Sequence, residues 1–82
     1  PEIAYPPAGA EIDLGLAAGD PEPLFLKVRD GRPPFLWFAD GAPIGTSDFG
    51  RALTFRPRGR GFVELLVIDA AGAAARSRVF LD

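Results

Sequence analysis

Eighty-two residues suffice for one small domain and no second. The chain has no cysteine and no histidine, so neither a disulfide nor a zinc site can staple it, and a 48% hydrophobic composition must hold it together by packing. A net charge of −2 is too small to steer the chain toward nucleic acid or a membrane surface.

Proline and glycine cut the chain into short apolar runs. The first, Ile3–Tyr5, ends at Pro6-Pro7, and the second is Glu11–Leu14. After the break at Gly19-Asp20-Pro21 comes Leu24–Arg29, in which Leu24, Leu26 and Val28 share one face and Lys27 and Arg29 the other. Phe35–Ala39 follows the break at Gly31 to Pro34 and fails to alternate, with Phe35, Leu36, Trp37 and Phe38 in a row. Trp37 with Phe35 and Ala39 is its natural inner set, since a large indole anchors a sandwich core. Asp40-Gly41 is a strong tight-turn pair leading to Pro43–Gly45. In Ala52–Arg56, Leu53 and Phe55 face inward opposite Thr54 and Arg56. Beyond Pro57 to Gly61, Phe62–Ile68 points Val63, Leu65 and Val67 inward; Asp69-Ala70-Ala71-Gly72 then connects it to Ala74–Leu81. No stretch carries a helical stripe, and there is no internal repeat or low-complexity segment. The expected fold is all-β, a sandwich of about seven short antiparallel strands forming a single domain over residues 1–82. Its expected core includes Leu26, Val28, Trp37, Phe55, Leu65 and Val67. With no start methionine, signal peptide or transmembrane run, the chain reads as a fragment of a larger protein.

Three stretches carry a resemblance: YPPAGAEIDLG at 5–15, GRPPFLWFADGAPIG at 31–45 and GFVELLVIDAAGAAARSRVFLD at 61–82. In order and spacing they resemble the C-terminal module of penicillin-binding protein 1C, an immunoglobulin-like domain appended to a bifunctional peptidoglycan synthase. The most specific parts are Trp37, Asp40-Gly41, Pro43 and Gly45, and the turn from Val67 to Gly72. The resemblance implies an immunoglobulin-like sandwich in the periplasm, attached to a parent anchored in the inner membrane. That parent would carry glycosyltransferase and transpeptidase domains. The segment Asp48 to Arg60 fits the resemblance least.

The residues offer no catalytic constellation. A penicillin-reactive serine needs a lysine three positions later, and neither Ser47 nor Ser77 has one. Asp40 and Asp69 would form a glycosidase-like pair only if their loops met, and both read more simply as turn residues. Glu11 and Asp13 share a strand face, yet no D-x-D-x-D-G calcium loop exists, so neither metal nor cofactor is expected. Arg56-Pro57-Arg58-Gly59-Arg60 is the one charge run. It reads either as a small anion-binding loop built on Arg56, Arg58 and Arg60 or as a solvated turn.

If Trp37 points inward, Leu36 and Phe38 point out. Phe62, Leu66 and Ile68 then face outward with Glu64, and Phe80 does so beside Arg76 and Arg78. In an immunoglobulin-like sandwich the third, sixth and seventh strands lie side by side. Leu36, Phe38, Leu66, Ile68 and Phe80 are therefore expected to form one apolar patch, of the kind that marks an interface. The alternatives are a covering loop or a register shifted by one. The expected function is a non-catalytic module docking to the parent transpeptidase domain or a periplasmic protein. The alternative is a carbohydrate-binding module holding peptidoglycan strands. No nucleic acid and no direct membrane insertion are expected.

Overall fold

A computed structural model describes residues 1–19, 21–48 and 52–82. It contains eight strands: β1 (Glu2–Tyr5), β2 (Glu11–Ile12), β3 (Leu24–Arg29), β4 (Phe35–Ala39), β5 (Ala42–Ser47), β6 (Ala52–Phe55), β7 (Gly61–Ile68) and β8 (Ala74–Leu81), with a 3-10 turn at Leu16–Ala18. They form a three-stranded sheet, β1-β3-β6, and a five-stranded sheet, β2-β8-β7-β4-β5. The adjacency of β4, β7 and β8, and the separate sheet of β1, β3 and β6, follow the immunoglobulin-like arrangement.

Each apolar run read from the sequence overlaps one of these strands, and the sandwich is all-β as expected; among the described residues the departure from antiparallel pairing is β2, which pairs with β8 in parallel, Glu11 opposite Phe80 and Ile12 opposite Leu81. The reason lies in Pro6-Pro7. Neither proline can donate to a ladder, so the chain leaves the β1–β3 pair after Tyr5. It crosses to the other sheet, where Gly9 donates to the Arg78 carbonyl at 2.8 Å and Phe80 donates to that of Ala10 at 2.9 Å. The Ser77 hydroxyl donates to the Pro6 carbonyl at 2.9 Å and fixes the crossing.

The core lies between the sheets. Ile3, Leu24, Leu26 and Val28 meet Phe35, Trp37, Leu65, Val67, Val79 and Leu81, all buried. Leu53 and Phe55 pack against this cluster from β6 and remain half-buried. Trp37 is wholly buried and lies between Val67 on one neighbouring strand and Gly45 on the other. Its indole N–H points at the Ser47 hydroxyl at 3.4 Å, the long end of a hydrogen bond.

Two glycines set the shape of the β4–β5 hairpin. Asp40 and Gly41 both take positive φ, 49° and 83°, the combination a two-residue type I′ turn requires. Gly45 follows a bulge between Trp37 and Phe38, and a β-carbon there would sit 3.1 Å from both terminal carbons of Leu53. Its bare backbone is what lets β5 approach β6 across the sandwich.

Candidate functional site

The outer face of the five-stranded sheet carries apolar side chains where a solvated face would be polar. Leu36 is directly opposite Ile68, and Phe38 is directly opposite Leu66, so these four form a compact quartet across β4 and β7. Leu36 is 45% exposed, and the other three are half-buried. Leu66 is flanked on its other side by Arg76, whose guanidinium reaches Glu64 at 2.8 Å.

Phe80 is not part of this quartet, which corrects the expectation of one continuous patch. It lies opposite Phe62 near the start of β7. Phe62 is about 13 Å along the strand from Leu66, and the Glu64–Arg78 pair occupies the outward-facing position between. The two rings meet edge to face with centroids 5.0 Å apart. The Arg78 guanidinium lies 4.6 Å from the Phe62 ring centroid. Phe62 is nonetheless 63% exposed.

The three arginines of the charge run border a cleft of about 670 Å³. One wall is the β4–β5 hairpin, from Ala39 to Ile44; the other runs from Thr54 at the end of β6 through the connecting loop to Val63. Arg60 is ion-paired with Asp82 at 3.0 Å. Among the described residues, Arg56 and Arg58 have no such partner.

Asp40 and Asp69 are not brought together. The Asp40 carboxylate accepts the Glu64 backbone N–H at 3.0 Å, whereas Asp69 lies beyond the far end of β7, about 17 Å further along. Asp69 is buried, and its carboxylate accepts three backbone N–H groups: Arg32 at 3.2 Å, and Ala71 and Ala73 at 2.9 Å. Burial pushes this carboxyl up, but the three donors together outweigh it and hold the group below its ordinary range. Both aspartates are thus turn organisers, each tying its own turn to a second segment.

Ser47 and Ser77 are buried and engaged with Trp37 and the Pro6 carbonyl, while Lys27 lies on the exposed face of β3, in the other sheet. Glu11 and Asp13 are exposed. No group of three or more aspartates and glutamates is placed to hold a metal ion among the described residues.

Three features go beyond the expected site residues. Phe62 stands at the cleft rim, and its partnership with Phe80 and Arg78 depends on strand register, which alternation alone does not supply. Phe25 is 55% exposed on the outer face of the three-stranded sheet, opposite Thr54. The alternation that puts Lys27 and Arg29 outside puts Phe25 there as well. The facing of the β4–β5 hairpin and the arginine loop is a tertiary event with no local signal.

No curated protein and no solved structure matches the chain. No helix among the described residues is long and apolar enough to cross a membrane. A family model described as the Penicillin-Binding Protein C-terminus Family matches residues 1–80, nearly the whole domain, and the chain belongs to that family.

Proposed function

We propose that this domain is a non-catalytic docking module of a periplasmic peptidoglycan synthase, with the Leu36/Phe38/Leu66/Ile68 face packing against the parent's transpeptidase domain. Family membership supports the coarser part, an accessory C-terminal domain of a cell-envelope protein. The quartet supports the finer part. Two adjacent strands present apolar side chains at directly opposite positions on the solvent side. Leu36 leaves 45% of its surface in water and the other three less, so covering them gains roughly 0.5–1 kcal/mol per residue, enough in sum to hold a domain tethered to its partner.

The test is capture of the separately expressed transpeptidase domain by the wild-type module and by a Phe38→Ser/Ile68→Thr variant. Both replaced side chains lie outside the core, so the variant stays folded. It is expected to lose capture; capture at wild-type strength sinks the reading. If the transpeptidase domain never binds and a free periplasmic protein does so through the same face, the partner is reassigned.

One observation favours a second reading, a carbohydrate-binding module. The exposed ring of Phe62 borders a cleft that also carries arginines, the platform-and-groove arrangement that sugars use. Sedimentation with purified peptidoglycan separates the two readings, since docking alone predicts that the domain stays in the supernatant.

A further inference from the structure

Most of the described arginine side chains at the sheet surfaces have partners. Arg29 pairs with Glu2, Arg60 with Asp82 and Arg76 with Glu64, while Arg78 lies over Phe62. Arg56 and Arg58 have neither an ion pair nor an aromatic partner among the described residues, and both border the same cleft. Both are exposed, so each guanidinium is free to turn its donors toward an anion that enters this concavity.

The cleft also has the size and lining of a ligand site. Its volume of about 670 Å³ lies within the range of small-molecule pockets, roughly 300–1,000 Å³. Ile44 and Phe55, both half-buried, give it an apolar wall, and Phe62 stands at its rim. The charges narrow the class of ligand. Arg60 is neutralised by Asp82, and Asp40 contributes one negative charge to the wall, so the cleft is left with a single positive excess. That excess suits one carboxylate. A polyphosphate or nucleic acid would meet too little positive charge here, and a domain of net charge −2 around it. Guanidinium forks match the planar carboxylate with two parallel N–H donors.

We infer that the cleft between the β4–β5 hairpin and the β6–β7 loop is a binding site for a monocarboxylate with an apolar or ring-shaped body. Arg56 and Arg58 hold the carboxylate, and Ile44, Phe55 and Phe62 contact the body. None of the four docking side chains lines this cleft, so the inference stands or falls apart from the docking face.

The carboxylate could sit on a sugar or end a peptide, and the experiment separates the two. The 82-residue chain is titrated at low salt, with backbone amide NMR shifts as readout. The probes are N-acetylmuramic acid, N-acetyl-alanyl-alanine and their neutral counterparts, N-acetylglucosamine and N-acetyl-alanyl-alanine amide. At least one acid is expected to shift resonances of the hairpin and of residues 54–63 while its neutral counterpart does not. The acid that binds more tightly identifies the source. The same titration on an Arg56→Gln/Arg58→Gln variant, shown by its melting curve to be folded, is expected to weaken binding about tenfold or more. The site assignment is overturned if no acid shifts these residues, if acid and neutral probes act alike, or if the double variant binds as the parent does. Tighter binding of inorganic phosphate than of either acid overturns the carboxylate class.

Discussion

Replacing Trp37 with alanine is the sharpest test of the core. The indole is wholly buried between Val67 and Gly45 at the centre of the five-stranded sheet, so little relaxation can fill the space it leaves. Truncating a buried tryptophan costs about 3–5 kcal/mol. A domain of 82 residues has a total stability of roughly 4–12 kcal/mol at about 0.05–0.15 kcal/mol per residue. The substitution therefore removes between a quarter and all of it. In a chain of this size each kcal/mol moves the melting temperature by about 4–8 °C, so a drop of at least about 12 °C is expected in a circular-dichroism melt. Trp37→Phe separates packing from hydrogen bonding. It keeps a ring in the core and gives up the 3.4 Å contact to Ser47 with only part of the indole's volume, so it is expected to cost clearly less than alanine. If Trp37→Ala melts within about 2 °C of the parent, the indole does not organise this core. If Trp37→Phe is as damaging as alanine, the Ser47 contact rather than the packing carries the stability.

The remaining predictions concern backbone and turns. In Asp69 the folded carboxyl is held below its ordinary range, so its contribution is present above the unfolded pKa and is lost as pH falls through the lower, folded one. Melting temperature should therefore fall more steeply with acidification in the parent than in Asp69→Asn; parallel curves would show that its three backbone bonds contribute nothing differential. Gly45→Ala places a β-carbon 3.1 Å from Leu53 at a φ of 156°, and is expected to cost about 1–3 kcal/mol by urea unfolding. If the close approach is the cause, part of that cost disappears in a Gly45→Ala/Leu53→Val background; a fully additive pair assigns the whole loss to backbone strain.

Much of the fold was legible because its signals are local. Pro6-Pro7, Asp40-Gly41 and Gly72 mark breaks whose chemistry depends on one or two residues, and the strands between them appear where the apolar runs lie. Alternation likewise sorts Leu24, Leu26 and Val28 from Lys27 and Arg29, because a period of two needs no partner to be read. The parallel pairing of β2 was not legible. Pro6-Pro7 shows that the first strand must stop, but not which sheet the chain enters next.

The candidate surface was legible only to one coordinate. Alternation tells which side of the sheet a residue faces, and it places Leu36, Phe38, Leu66, Ile68 and Phe80 on the same side. It does not tell how far along the sheet each one lies, because that is fixed by register between strands distant in sequence. Register puts Ile68 against Leu36 and Leu66 against Phe38, but carries Phe80 to Phe62 beyond the charged pair of Glu64 and Arg78. The arginine run shows the same limit from the other direction. Arg56, Arg58 and Arg60 are adjacent in the chain, yet Asp82 at the end of the chain neutralises one of them and leaves the other two open. What distinguishes a solvated turn from an anion site is thus set by contacts across the fold: the partner Arg60 finds, and the hairpin that Arg56 and Arg58 face across the cleft.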